Sequence, residues 1–216
     1  MQISNESYFA DRERHDLALR MIRHEARTCT IRSCTGLTDD RIRRLYQTAA
    51  THMPAIPIRR HRGKSPRQVA FFTRNTQMQF ESSLLAGVFA SFGLLDSRAP
   101  GSRTTLAQGA LFCDAYETHL QLSPCSTISF EHAWFLLQAL SRKSKFTVLR
   151  CRHCDGQFLH DKSNVLRRAC PACTLVRKDQ RSAHRRRRSR AGVPALTPSP
   201  ELLTARMQEA AATLGA

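Results

Sequence analysis

The chain has 216 residues, with 34 Lys and Arg against 17 Asp and Glu, so its formal net charge is +17 at pH 7. No run reaches the roughly 18 apolar residues that a membrane span needs. Residues 1–16 are too polar for a signal peptide, and the eight cysteines are too unevenly spaced for a secreted disulfide framework. We therefore expect a cytoplasmic protein with reduced thiols and no membrane partner.

The N-terminal residues predict two helices joined by a short turn. Apolar side chains recur at helical intervals over residues 11–34, and Thr35-Gly36-Leu37-Thr38 then breaks the pattern. Thr38 is a suitable N-cap for a second helix, Asp39–Ala50, which carries several arginines. This arrangement is typical of a DNA-binding helix-turn-helix, but an ordinary αα-hairpin accounts for it equally well.

A basic loop and three apolar helices are predicted next. Prolines and a glycine within residues 51–70 indicate an irregular basic loop. Residues 71–95, 104–120 and 130–140 follow as helices rich in large apolar side chains. The second half of the first of these has little polar surface, so it lies either in the core or against a partner protein. The only tryptophan, Trp134, is expected in the core.

Four cysteines predict a structural metal site. Cys151, Cys154, Cys170 and Cys173 form a C-x2-C-x15-C-x2-C array, the spacing of a tetrahedral Zn²⁺ site. Four thiolates leave no open coordination position, so we expect one structural zinc per chain that does not activate water. The alternatives are a pair of disulfides, or His153 or His160 in place of one cysteine. Short β-like segments, Phe146–Leu149 and Gln157–Leu159, lead into and out of the first thiol pair, as in a small zinc ribbon.

The positive charge is concentrated around this array. Residues 141–190 contain sixteen Lys and Arg against three Asp, which leaves a net charge of +13. Such clustering is typical of a protein that binds a polyanion, and residues 181–190 have no apolar face with which to enter a lipid surface. Nucleic acid is therefore the better interpretation. The candidate contact residues are Arg150, Arg152, Lys162, Arg167, Arg168, Arg177, Lys178, Arg185, Arg186, Arg187 and Arg188.

The predicted fold class is mainly α. We expect a helical N-terminal domain, a C-terminal four-cysteine zinc-ribbon-like module and a basic, partly disordered tail. The expected divisions are residues 1–75 (helices and basic loop), 76–145 (helical core), 146–180 (zinc module) and 181–216 (basic tail with a short final helix). The Arg185–Arg188 run is too charged to fold alone. We find no nucleophile–base pair, open metal site or phosphate-binding glycine loop, so no enzyme is expected.

Two groups of residues resemble the FlhC family of bacterial flagellar transcription activators. The first is Thr35-Gly36-Leu37 followed by Arg41-Ile42-Arg43-Arg44-Leu45-Tyr46, with Ala133-Trp134 further along the chain. The second and more specific group is Cys151-Arg152-His153-Cys154-Asp155-Gly156-Gln157-Phe158, then Cys170-Pro171-Ala172-Cys173 and a basic segment. The resemblance covers roughly residues 11–185.

This resemblance implies a helical DNA-binding activator with a structural zinc held by the four cysteines. Members of the family act with a small helical partner, FlhD, in a hetero-oligomer of four FlhD and two FlhC chains. That complex binds double-stranded DNA upstream of flagellar class II promoters and recruits RNA polymerase, which activates flagellum assembly and motility genes. The alternative function is that of an RNA-binding zinc-ribbon protein, although no aromatic-rich strand for base stacking is evident.

Overall fold

A computed structural model describes residues 5–52, 58–61, 63, 65–95, 104–166 and 168–191. The chain divides into two compact units, Met1–Leu175 and Val176–Ala216. Within the described residues, the first unit holds seven complete helices and one β-hairpin, and an eighth helix begins near its end. This mainly helical architecture with a small two-stranded sheet confirms the predicted fold class.

Three helices open the first unit: α1 (Asn5–Arg23), α2 (Thr28–Thr35) and α3 (Asp39–His52). The prediction of one helix over residues 11–34 was wrong, because the chain turns between α1 and α2. Glu25 adopts a left-handed φ of 57° there, and the Tyr46 hydroxyl of α3 donates to the backbone carbonyl of Ala26. A contact from a residue 20 positions away therefore stabilises a break that local periodicity does not show.

The turn between α2 and α3 matches the predicted capping signals. Gly36 ends α2 with a left-handed φ of 71°, and its N–H donates to the Arg32 carbonyl oxygen at 2.9 Å. The Arg41 N–H donates to the Thr38 hydroxyl at 3.4 Å, which places Thr38 as the N-cap of α3. The start of the predicted second helix is thus confirmed.

Four further helices complete the core, and each of the last three has a side-chain N-cap. They are α4 (Ala70–Thr73), α5 (Thr76–Ser91), α6 (Leu106–Leu122) and α7 (Phe130–Ser141). The single helix predicted over residues 71–95 is interrupted, because extended Asn75 (φ −144°) accepts a hydrogen bond from the Met78 N–H. Thr105 forms a capping box at the start of α6, and Ser129 caps α7.

Aromatic side chains from α5, α6 and α7 meet at the centre of the helical core. Phe112 is fully buried, and its ring centroid lies 4.9 Å from those of both Phe130 and Trp134 and 5.8 Å from that of Phe89. The pairs with Phe130 and Trp134 are edge-on, and such pairs stabilise a core beyond the area that they bury. The expected core position of Trp134 is confirmed.

The β-hairpin packs directly against α5. Strand β1 (Phe146–Arg150) pairs antiparallel with β2 (Gln157–Asp161), and Phe146 lies opposite Asp161. On α5, the Gln79 side-chain amide donates to the Leu159 carbonyl oxygen, and the Ser83 hydroxyl accepts from the Leu159 N–H, each at 2.9 Å. These two bonds hold the strand that follows the first cysteine pair against the helical core.

Helix α8 (Pro171–Ala191) begins at the second cysteine pair, and the second unit starts within it at Val176. The Arg185–Arg188 run, expected not to fold alone, forms part of this helix in the structure. The run extends a helix that the cysteine pair has already started, and propagation is easier than nucleation. The predicted final helix and proline-containing tail, residues 192–216, lie outside the described residues.

Candidate metal centre and nucleic-acid interface

The first cysteine pair lies in a tight turn between the two strands. The Asp155 N–H donates to the Cys151 carbonyl oxygen at 2.9 Å, and the Cys151 N–H donates to the Gly156 carbonyl oxygen at 3.0 Å. Asp155 has a left-handed φ of 53°. A Cβ at position 156 would lie 3.3 Å from the Cys154 sulfur, so glycine allows this thiol to fold back over the turn.

The second cysteine pair lies at the start of α8. Pro171 is the first residue of that helix, a position where its missing N–H and restricted φ are well tolerated. The Cys173 N–H points at the Cys170 sulfur at 3.4 Å, and the Cys170 N–H points at the Cys151 sulfur at 3.2 Å. The Arg152 N–H also donates to the Arg168 carbonyl oxygen at 2.9 Å, which joins the two pairs through the backbone.

All four sulfur atoms lie within 4.8 Å of one another. The sulfurs of Cys154 and Cys170, one from each pair, are 3.7 Å apart. A tetrahedral zinc with Zn–S bonds of about 2.3 Å would place its sulfurs about 3.8 Å apart, whereas a disulfide needs about 2.05 Å. The geometry therefore suits a closed metal site and argues against a disulfide between these two residues. The cluster does not include His153 or His160.

Hydrogen bonds and burial shift the thiol pKa values, downwards for Cys151 and upwards for Cys170 and Cys173. Backbone N–H groups, that of Cys170 foremost, lower the pKa of Cys151 to about 6. Burial raises the pKa of Cys170, and hydrogen bonding with the Cys170 sulfur raises the pKa of Cys173 to about 12. Neighbouring thiolates repel one another, so a cation is needed for the whole set to ionise. The donor set fits a divalent metal that favours sulfur ligands.

Several cations near the metal centre and along the hairpin have no carboxylate partners among the described residues. Arg150, Arg152 and Arg168 lie within two positions of a clustered cysteine in the chain, and Lys162 lies at the opposite end of the hairpin. The side chains of Arg150, Arg152, Lys162 and Arg168 are exposed, and within the part of the chain that the structure describes none of them forms a salt bridge. The Lys162 ammonium donates to the Lys143 carbonyl oxygen at 2.6 Å, which holds it beside the hairpin. The Asp161 carboxylate accepts the Ser163 N–H at 2.9 Å and fixes the turn that follows. Hydrogen bonds therefore hold the hairpin and the turn after it, which carry exposed cations, in a defined conformation. Arg167 lies outside the described residues.

A second basic surface lies on α8 within the second unit. Arg177, Arg181 and Arg185 recur every four residues and line a shallow cleft of about 450 Å³ with Gln180 and His184. Lys178 is exposed nearby on the same helix. We call the residues that line the cleft the α8 basic face. The side chains of Arg186, Arg187 and Arg188 lie outside the described residues.

The arginines of the N-terminal helices are more often neutralised. Arg41 pairs with Asp11 at 3.2 Å and Arg43 pairs with Asp40 at 2.9 Å. On α2, Arg32 pairs with Asp39 at 3.1 Å, so both acidic residues of the first turn of α3 are engaged. An ion-paired surface attracts phosphates less than an unpaired one. This difference favours the C-terminal part of the chain as the candidate interface.

Part of the basic loop before α4 forms a hydrogen bond and an ion pair with Glu25. The Glu25 carboxylate accepts the Arg59 N–H at 3.2 Å and pairs with His61 at 2.8 Å. Sequence reasoning missed this role of Glu25, because the two segments are 34 or more positions apart. It also missed Gln79 and Ser83, whose contacts with β2 position the metal centre. Their only sequence signal is polar residues within an apolar helix.

The comparisons with known proteins identify a family. None of the helices in the described part of the chain is long and apolar enough to cross a membrane. No curated protein matches the chain in a direct sequence comparison. A family profile described as "Flagellar transcriptional activator (FlhC)" matches residues 3–189, which include the helical core, all four clustered cysteines and most of α8. The chain therefore belongs to the FlhC family of flagellar transcriptional activators.

Proposed function

We propose that this chain is the DNA-binding subunit of a cytoplasmic activator complex at flagellar class II promoters, and that one structural zinc holds its DNA-contacting surface in shape. The observation that carries the proposal is the four-sulfur cluster together with nearby exposed cations that have no carboxylate partners within the described residues. As membership of the family implies, the chain assembles with FlhD, as four FlhD and two FlhC chains, and the complex recruits RNA polymerase. In this role the chain has no catalytic residues.

The proposed role of zinc is to hold the cysteine-containing segment in a fixed conformation. The hairpin packs against the helical core through Phe146 and Leu159, but the cysteine end of residues 146–175 buries only a small cluster around Cys151, Phe158 and Cys170. A cluster of this size does not hold a module in shape without a cross-link. Bound zinc would join the hairpin to the start of α8 through Cys151, Cys154, Cys170 and Cys173. Zinc with four thiolates carries a formal charge of −2, which nearby Arg150, Arg152 and Arg168 offset.

The two basic surfaces contribute differently to DNA binding. We assign Arg150, Arg152, Lys162, Arg167 and Arg168 to contacts that depend on the zinc frame. Arg177, Lys178 and the Arg185–Arg188 run supply phosphate contacts, because regularly spaced arginines on a helix neutralise phosphates without reading bases. Loss of the first group should reduce promoter preference, and loss of the second should weaken binding to all duplexes alike.

The metal part of this proposal is tested with a pair of cysteine variants. Cys170→Ser removes one ligand, and Cys125→Ser alters an exposed cysteine outside the cluster. We expect elemental analysis to find one zinc per chain in the wild type and in Cys125→Ser, and less in Cys170→Ser. In fluorescence anisotropy with FlhD present, only Cys170→Ser should lose its preference for a promoter fragment over random duplex. Promoter-specific binding by metal-free Cys170→Ser would contradict the proposal.

The nucleic-acid part is tested by the dependence of binding on salt. Each phosphate contact contributes about 0.9 to the slope of log affinity against log salt concentration. Arg181→Ala with Arg185→Ala should therefore reduce the slope by up to about 2, whereas Arg12→Ala with Arg14→Ala on α1 should leave it unchanged. Structured RNA serves as a parallel competitor. Stronger competition by RNA than by promoter DNA would favour the RNA-binding alternative.

A further inference from the structure

Gly87 lies in the middle of α5, and the described part of the chain contains nothing that requires a glycine there. Its position is exposed, its φ is not in the left-handed region, and a Cβ placed there would meet no atom within 4 Å. A glycine inside a helix weakens that helix relative to alanine. Neither backbone conformation nor packing within the described residues requires it. What a glycine does provide is a place where another backbone can approach the helix closely.

Gly87 lies on a groove between α5, the hairpin and the start of α8. The groove has a volume of about 470 Å³, and its walls include Phe80, Leu84, Val88, Phe158 and Pro171. We call it the α5 groove. Phe80 is 53% exposed, although the opposite face of α5 is buried in the core through Leu85 and Phe89. A helix that is apolar on both faces is normally covered on both.

The chemistry of the α5 groove selects its occupant. Among the residues that the structure describes, no Lys, Arg, Asp or Glu lines it, although the chain carries a net charge of +17. DNA phosphates therefore have no partner there. The Ser83 hydroxyl is already bonded to the Gln79 carbonyl oxygen and the Leu159 N–H, and the Ser91 hydroxyl to the Val88 carbonyl oxygen. Neither serine is left to orient a small ligand. Apart from the clustered thiols of Cys154 and Cys170, Gln157 is the remaining polar side chain on the described walls, and a small ligand normally needs a few such groups.

We propose that the α5 groove is the docking site for an uncharged, apolar helix face of a partner protein, and that Gly87 is the point of closest approach. This inference rests on the proposed function, because it locates the surface through which the chain joins its hetero-oligomer. Phe80 and Leu84 flank the glycine and supply apolar contact, in the manner of an amphipathic helix laid in a groove. The partner covers the face of α5 that the described residues leave open.

The test is a pair of glutamate variants that add the same charge at different exposed helical positions. Gly87→Glu places a carboxylate in the groove, and Ala107→Glu places one on α6 outside it. Purified FlhD is the probe, and its affinity is measured by calorimetry or by anisotropy of labelled FlhD. We expect Gly87→Glu to weaken FlhD binding by at least about 100-fold, and Ala107→Glu to stay within about threefold of the wild type, because a buried unpaired charge at an interface is costly and a solvated one is not.

The other possible outcomes test the groove assignment and the FlhD partnership separately. Wild-type binding of FlhD together with equal binding by Gly87→Glu would overturn the groove assignment alone. Failure of the wild type to bind FlhD would overturn the proposed partnership, and the groove assignment with it. A Gly87→Glu chain that keeps FlhD but changes its own mass in light scattering would assign the groove to a second copy instead. Loss of helicity in Gly87→Glu would contradict the premise that position 87 faces open space. Cys154 and Cys170 line the same groove, so weakened FlhD binding supports the groove assignment only in a Gly87→Glu chain that retains its zinc, and loss of zinc would overturn the assignment of position 87 to the partner interface.

Discussion

Two glycines within helices predict different outcomes for the same substitution. Gly87 lies on the exposed side of α5, where a Cβ would meet nothing within 4 Å. Gly109 lies on α6, where a Cβ would be 3.0 Å from both the Cys34 Cβ and the Leu17 Cδ2 atom. Alanine in place of glycine raises helix propensity by about 1 kcal/mol in a helix interior, and by no more than this at Gly109, the fourth residue of α6. The difference between the two variants therefore isolates the tertiary contact at Gly109.

The magnitudes follow from these distances. Gly87→Ala should raise the free energy of unfolding by about 0.5–1 kcal/mol, because nothing opposes the gain in propensity. At Gly109 the new methyl would lie about 0.5–1 Å inside normal contact distance of two buried side chains. Overpacking of this kind costs about 1–3 kcal/mol, so Gly109→Ala should be neutral to about 2 kcal/mol less stable than the wild type.

The assay is thermal and urea unfolding of the purified chain, followed by far-UV circular dichroism. For a chain of this size, about 1 kcal/mol corresponds to a shift in Tm of about 2–4 °C. Gly87→Ala should therefore melt about 1–4 °C above the wild type, and Gly109→Ala at or below it. A Gly109→Ala protein as stable as Gly87→Ala would refute the close packing of α6 against α1 and α2. A destabilised Gly87→Ala protein would refute the open space beside α5.

Three other measurements probe the core, the α1–α6 interface and the metal. Phe112→Ala removes the ring at the centre of the aromatic cluster and should lower the free energy of unfolding by about 3–5 kcal/mol in urea titrations, whereas replacement of exposed Phe9 should change it little. Glu117→Gln should cost about 1–2 kcal/mol at pH 7, after allowance for screening of a carboxylate that is 35% exposed. Arg20 lowers the pKa of Glu117 to about 2. The stabilisation by Glu117 is therefore complete above the unfolded pKa of about 4.5 and is lost as the pH falls from there towards 2. If Glu117→Gln were still destabilised by the same amount at pH 2, the ion pair with Arg20 would not be the cause. Chelation of the metal should abolish promoter preference but retain most of the helical circular dichroism signal, because the large helical core does not include the four thiols. Complete loss of helicity would contradict this expectation and show that the core depends on the metal.

Local signals in the sequence determined much of this protein. The spacing of the four cysteines predicted their cluster, because two short pairs each form one tight turn whose geometry depends on a few adjacent residues. Thr38 predicted the start of α3 for the same reason, since a cap satisfies backbone groups only two or three residues away. The concentration of positive charge around the cysteines is a property of composition and needs no structure.

Contacts between distant residues decided the rest. The break between α1 and α2 depends on the hydrogen bond from Tyr46 to Ala26. The packing of the hairpin against α5 depends on Gln79 and Ser83, which bond to Leu159, up to 80 positions away. Gly87 and Gly109 look alike in the sequence, and only their surroundings show that one is packed and the other open. Periodicity states that a helix has an apolar face, but which face is covered depends on the elements that the fold brings against it.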